Sequence, residues 1–402
     1  MRINSLKTAV CAVLTALTLL AGTITAFASS GESVRNNSVP AAKNADPPEK
    51  LSTVSADAYI LTEMQTGTVL LEKNADKSIT SSHFNKLMTL LLLSERIRTG
   101  KIRPQDTFTV SDRANSCNDP QIWLDKGEKI TVDELIKSVT VGNANDAAAV
   151  IAEGVSGSEE RFVSAMNKRA EALKMSKTVF KDSTGADLSN TTTPKDIAAL
   201  CSRLRKYEFL TPYFRTWLVR VRGAKAELVN SNRLVRTDHG VSGMKAFCSK
   251  QSGSCACVTA KKGGMELCAV VVGCKDNDKR DSDVRKLLEC GAQMFQLYRP
   301  EIPQDLLRSI PVTGGEKLEC ELGVENTPLV VIKRGTAPQL EAVKYREEKL
   351  EAPVAKGQIC GTFTLEYDKK PVCTLNITAK ENIARMNWLC GFKKLLYNLI
   401  KL

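Results

Sequence analysis

Residues Phe84 to Ile97 leave this chain few ways to fold. Leu87, Leu90, Leu91 and Ser94 recur at helical spacing, and Leu92 and Leu93 extend the apolar surface nearly all round. A helix of that kind cannot lie on a surface and has to be enclosed by other elements. Near its start stands Lys86, whose amine is then carried towards the interior. Enclosing such a helix takes a sizeable core, and 402 residues are enough for two domains with tails.

The flanking segments supply the enclosing elements. Ala58–Leu61 and Thr68–Leu71 are strand-like runs joined by Gln65-Thr66-Gly67, a hairpin signal. Val132 to Gly154 and Glu159 to Leu173 read as a helix pair. A further helix runs from Pro194 to Arg205, with Thr193 as N-cap and proline at its first position. Cys255 to Cys274 reads as a hairpin about a Gly-Gly turn, and Asp281 to Tyr298 as a helix packed on that sheet. Helices, a hairpin and a closing helix predict an α/β fold, an antiparallel sheet flanked by helices. Pro300 to Pro311, with prolines at 300, 303 and 311, reads as a linker, and the rest of the 301–380 segment carries short strand-like runs, at 329–332, 358–363 and 372–375. They predict a small all-β domain.

The ends read differently. Arg2 and Lys7 precede an apolar stretch, Ala9 to Ala21, and Ala26-Phe27-Ala28 follows it. This is the pattern of a signal peptide over residues 1–28, cleaved after Ala28; an uncleaved anchor is the other reading. Residues 29–50, rich in Ser, Asn, Ala and Pro, read as a flexible linker. Within residues 381–402, Trp388, Leu389, Phe392, Leu395, Leu396, Leu399 and Ile400 make one face, with Lys393, Lys394 and Lys401 elsewhere. That suits an amphipathic helix on an anionic membrane surface; packing on its own domain or on a partner is the alternative.

The formal charge is +12, and loss of Arg2 and Lys7 with the leader, which holds no acid, makes it +10. An exported chain so charged attracts anionic polymers and headgroups. Nucleic acid is not an expected partner, since no aromatic-interleaved basic stripe is present. Of thirteen cysteines, Cys11 falls in the leader, and most of the rest sit in apolar runs as small buried hydrophobes. Cys257 and Cys268 would face each other across the hairpin if Lys262-Gly263 formed its loop; a shift of one residue separates them.

The order of these segments resembles the serine D-Ala-D-Ala carboxypeptidases, the low-molecular-mass penicillin-binding proteins, from about Ser55 to the C-terminus. The stretches that carry it are Ala58–Leu71, Lys86–Thr89, Asn145–Ala148, Phe180–Gly185, Asn230–Leu234 and Ala352–Gln358. The resemblance implies a β-lactamase/transpeptidase-like domain over residues 51–300. It implies a serine nucleophile one helical turn before a lysine base, in Ser-x-x-Lys. A Ser-x-Asn motif relays protons and orients substrate, and a Lys-Thr-Gly strand binds the terminal carboxylate beside an oxyanion site.

At the matching positions this chain has His83-Phe84-Asn85-Lys86, Asn143-Ala144-Asn145 and Lys245-Ala246-Phe247. Lys86, Asn145 and Lys245 are retained; His83 and Asn143 stand where the family has serines. Ala246 offers no hydroxyl, and the Phe247 ring is expected to obstruct the cleft. Loss of a nucleophile typically removes on the order of 10⁶-fold of the rate. Ser82, four residues before Lys86, is the alternative nucleophile, and Ser81 a weaker one; otherwise both cap the helix. Given the resemblance, Lys86 and Lys245 are expected still to line the cleft; the other readings are a buried cation held by Asn145 or a carboxylate for Lys86, and a strand lysine at a sheet edge for Lys245. No metal or cofactor is expected.

Three functions follow from the resemblance. One is an impaired or inactive cell-wall protein that binds peptidoglycan stem peptides or other cell-wall enzymes. Another is a working carboxypeptidase that uses Ser82. The third is a membrane-surface scaffold with a vestigial cleft.

Overall fold

A computed structural model describes residues 52–324, 327–335, 341–367, 370–388, 391–392 and 400. The expected signal peptide and linker lie outside the described residues, as does most of the expected terminal helix.

The first domain is built on a five-stranded antiparallel sheet of β1 (Ala58–Glu63), β2 (Val69–Lys73), β3 (Val241–Ser249), β4 (Gly253–Lys262) and β5 (Met265–Cys274). Its spatial order is β2-β1-β5-β4-β3, so β3 is an edge, where the sequence places Lys245. The helices are α1 (Asn85–Arg98), α2 (Val132–Val141), α3 (Asn145–Ser156), α4 (Glu159–Ala172), α5 (Pro194–Leu204) and α6 (Asn277–Met294). Strand β1 shows why both faces are covered. Ala58 and Ile60 join the core under α1 to α5, while Tyr59 and Leu61 join the core under α6. Such a strand reads as continuously apolar because neither face meets water.

Helix α1 is enclosed as its sequence demands. Leu87, Met88, Leu90, Leu91 and Leu93 are fully buried, each contributing about 1.5–3 kcal/mol of apolar burial. Thr193 caps α5 by accepting a hydrogen bond from the Asp196 N–H at 3.1 Å.

Three expectations are corrected and one open alternative is decided. Val132 to Gly154 is two helices, broken at Gly142-Asn143-Ala144, where Asn143 takes a left-handed φ of 56° that Asn tolerates. The helix expected from Asp281 begins at Asn277, with the Asp276 side chain capping it, and ends at Met294. Phe295–Tyr298 is instead a strand paired with Val330–Lys333, so the last turn is spent on joining the two domains. The β4–β5 hairpin turns on Gly263-Gly264, both at positive φ, and so Cys257 lies opposite Val270 rather than Cys268. Both thiols are free.

Beyond the linking strands lies a small β domain. A four-stranded sheet runs in the order Leu322–Gly323, Lys370–Ala379, Ile359–Tyr367 and Glu341–Arg346. Its core holds Ile310, Leu350, Phe363, Leu365 and Ile377. Arg334 ties it to the first domain, donating from Nε to the carbonyls of Ala292 and Phe295 and from Nη2 to that of Gly263, each at 2.9 Å. Among the described residues no helix is long and apolar enough to cross a membrane.

The entry to β1 is anchored by one carboxylate. Buried Asp283 on α6 accepts through Oδ2 from the Ser55 N–H, the Ser55 hydroxyl and the Ala56 N–H at 2.8–2.9 Å. Asp283→Ala would strand two amides and a hydroxyl, and a loss on the order of 3 kcal/mol is expected. Urea unfolding followed by tryptophan fluorescence measures it, and a loss under about 1 kcal/mol would refute the anchoring role.

Candidate functional site

Lys86 lies on the first turn of α1 and is wholly buried. Three polar groups surround its amine. Asn145 Oδ1, at the start of α3, is 2.7 Å away, the Thr184 carbonyl 2.6 Å and His83 Nδ1 2.9 Å. Asn145 is thus the expected partner; no carboxylate joins the amine's hydrogen bonds. Burial first, and then the nearby Lys245, press the Lys86 amine well below the ordinary lysine range, while Asp182 opposes them.

Each partner is held in place by its own element. Asn145 donates from Nδ2 to the Asn118 and Asp119 carbonyls at 2.8 and 3.2 Å. That loop is pinned by Asp146, whose carboxylate accepts from the Ile122 and Leu124 N–H groups. Arg222 pins it from outside, donating to the Ile122 carbonyl at 3.0 Å and to Glu128 Oε1 at 2.9 Å. The Thr184 carbonyl is set by Asp182, which accepts from the Thr184 N–H at 2.8 Å and from the Gly185 N–H. Gly185 has a φ of 83°, and a Cβ there would fall 1.7 Å from the Ser82 carbonyl oxygen. Only glycine permits that approach.

His83 sits in a 3-10 turn, Ser82–Phe84, one turn before Lys86. Burial, with the Lys86 and Lys245 charges, holds its imidazole down to about 2, so the ring is neutral. Phe247 is 4% exposed and packs edge-on to His83, with ring centres 5.1 Å apart, and to Phe84 at 4.8 Å. Such pairs add about 0.5–1.5 kcal/mol beyond their burial. The ring is therefore part of a packed aromatic trio rather than a flap over an open groove.

Lys245 is 1% exposed and donates to the Val139 carbonyl on α2 at 2.5 Å. Ala246 lies in the core on the α6 side of the sheet. Asn143 is buried and donates to the Ala246 carbonyl at 3.3 Å and to Ser231 Oγ at 3.4 Å; its Oδ1 meets no partner among the described residues.

Ser82 has a φ of 48° and its hydroxyl is not among the partners of Lys86. Neither Ser81 nor Ser82 caps a helix with its side chain, which corrects the capping expectation: the 3-10 turn runs straight into α1. Ser81 Oγ is buried without a partner. The geometry brings Lys86, His83, Asn145 and Phe247 into one cluster and joins Asn143 to the β3 backbone. Thr184, Val139 and Ser231 were not singled out from the sequence. Two of them lie in Phe180–Gly185 and Asn230–Leu234, but they act through a carbonyl and one weak hydroxyl contact, which leave no side-chain signature. The hollows of about 610, 720 and 810 Å³ on this molecule are lined by other residues.

Residues 41–276 match the family described as D-alanyl-D-alanine carboxypeptidase. The chain belongs to that family. Residues 302–385 match the C-terminal domain of penicillin-binding protein 5. The D-alanyl-D-alanine carboxypeptidase DacF of Bacillus subtilis is 31% identical over 346 residues, 84% of this chain and 88% of that protein. DacC of Escherichia coli is 30% identical, over 86% and 88%. Among solved structures, penicillin-binding protein 5 from Haemophilus influenzae shares the fold at a TM-score of 0.74 and 24% identity, covering 85% of this chain and all of that one.

The Lys245 amine is pushed by burial from 10.5 to about 7. Between those values the unfolded chain binds the extra proton, so stability rises with pH across the window, and the burial penalty is fully present below about 7. Lys245→Met should therefore stabilise at neutral pH, on the order of 1–4 kcal/mol, with the gain shrinking as pH approaches 10.5. Denaturant midpoints at three pH values test it; a gain independent of pH would place the cause elsewhere.

Proposed function

We propose that this member of the carboxypeptidase family serves peptidoglycan metabolism at the cell wall without hydrolysing stem peptides. One observation supports the reading above others. The amine that should activate a hydroxyl instead meets an imidazole nitrogen, at 2.9 Å, under an aromatic ring. A general base works only within reach of the proton it removes. Lys86 faces no hydroxyl among its hydrogen-bond partners, and neutral His83 is not placed as an alcohol would be.

Lys245 and Phe247, the carboxylate-binding side of the groove by family position, are shut from solvent. The expected partners are peptidoglycan stem peptides, bound without turnover, or other cell-wall enzymes. Residues 1–28 are proposed to export the chain, with domain bounds at 51–300 and 301–380. Residues 381–402 are proposed to hold it at the outer face of the cytoplasmic membrane. The working enzyme with Ser82 as nucleophile finds no supporting contact.

A fluorescent penicillin tests the reading. The natural chain is expected to take up no covalent label, and labelling abolished by Ser82→Ala would overturn the proposal. His83→Ser, Asn143→Ser, Ala246→Thr and Phe247→Gly made together are expected to restore labelling, whereas His83→Ser alone is not, because the Phe247 ring still fills the groove. A second measurement addresses the terminus. Deleting residues 387–402 is expected to release the chain from anionic vesicles in a flotation assay, and continued binding would remove that segment as the anchor.

A further inference from the structure

Away from the site, cationic side chains converge on a concave face. A hollow of about 610 Å³ lies where the C-terminal half of α1 meets α4 and α5. Its wall carries Arg96, Arg98, Lys101, Lys168, Arg169 and Arg203 against one acid, Glu95. Glu95 is already taken by Arg169 at 2.6 Å. The other five bases make no ion pair with a described residue. Arg98 and Arg203 share a single ring, with guanidinium carbons 5.2 and 5.9 Å from the centre of Tyr207. The Nε–H groups of Arg169 and Arg203 are buried and meet no acceptor among the described residues.

A second hollow, of about 720 Å³, shares Arg169 and Arg203 and adds Lys195 and Lys206, with no acid in its wall. Lys195 is paired with Asp76 at 3.6 Å. The two hollows adjoin at a pair of half-buried arginines that line both. The first is lined on α1 by Leu92 to Arg98, about 9–18 Å along the helix from Lys86 at 1.5 Å per residue, and neither shares a residue with the site.

Like charges gathered at this density repel one another and destabilise the fold unless an anion offsets them. Buried guanidinium donors without acceptors add to that cost. We propose that the paired hollows form a groove for a phosphodiester polymer, a chain of regularly spaced single negative charges running across Arg169 and Arg203 from one hollow into the other. Guanidinium forks favour the paired oxygens of a phosphate. Two adjoining hollows suit an extended ligand better than a single anion. Recessed arginines are poorly placed for the flat plane of a membrane. The proposal stands whether or not the cleft is active.

The full chain titrated with fluorescent poly(glycerol phosphate), read by anisotropy at several salt concentrations, tests it. Arg96, Arg98 and Lys168 are exposed, so their joint replacement by Glu is expected to leave the unfolding midpoint in place. Binding should weaken by about tenfold or more, with a shallower salt dependence. Reversing exposed Lys250, Lys275 and Lys279 in the same way should change it by less than about twofold. Arg203→Lys, which keeps the charge and loses the fork, should fall between these. Equal losses in both triple variants would mean that net charge alone attracts the polymer, and would overturn the groove. So would undiminished binding in the first variant, equal affinity for polyglutamate, or a loss seen only with phosphatidylglycerol vesicles.

Discussion

The buried amine of Lys86 is the constraint on which the centre of this molecule is organised. An ammonium moved into the interior without partners would cost many kcal/mol or lose its proton. Here it is met by Asn145 Oδ1, the Thr184 carbonyl and His83 Nδ1, from three separate parts of the chain. Those contacts fix α1 against α3 and against the loop after Phe180, and each has a support of its own. Asp182 shapes the Thr184 turn, the Asn118-Asp119 carbonyls orient Asn145, and Gly185 allows the backbone of Ser82 to pass beneath it. A framework of this kind is fixed by the lysine itself, because wherever the amine is buried it has to be satisfied.

Much of the fold was legible because burial writes itself into sequence. The apolar girth of α1, the Thr193-Pro194 start of α5 and the strand-like runs on either side of the Gly-Gly turn each follow from one local rule. The misses have a common cause. The break at Gly142-Asn143-Ala144 joins two stretches that are both apolar, so hydrophobic period alone runs through it; the left-handed φ of Asn143 is what interrupts it. The strand Phe295–Tyr298 continues a helical pattern and is pulled out of it by a partner strand more than thirty residues on, a tertiary contact with no local sign. Register in the β4–β5 hairpin turned on which of three adjacent residues made the loop. That choice decided whether Cys257 met Cys268 or Val270.

The candidate site was legible by position and illegible by environment. Spacing put Lys86, Asn145 and Lys245 on the right elements, and the structure gathers them within a buried region. What spacing could not give was the direction of the Phe247 ring or its partners. A phenylalanine on an edge strand can lie outward over a groove or inward onto a helix. Here it turns to His83 and Phe84, whose rings offer it a dry surface.

That packing makes the replacements at the site interdependent. A serine at position 83 and a glycine at position 247 would leave between them the volume now filled by two rings. An imidazole alone at position 83 would stand exposed to a groove, and a benzyl group alone at position 247 would stand over a void. Together they close on each other at 5.1 Å and bury Phe247 to 4% exposure. Residues in direct contact couple energetically, so neither change has its full effect without the other. The neutral state of His83 belongs to the same argument: beside two amines and out of water, a charged imidazole would oppose both lysines, and the uncharged ring is what allows Lys86 to remain where it is. The pair therefore stabilises a packed interior directly beside the Lys86 amine.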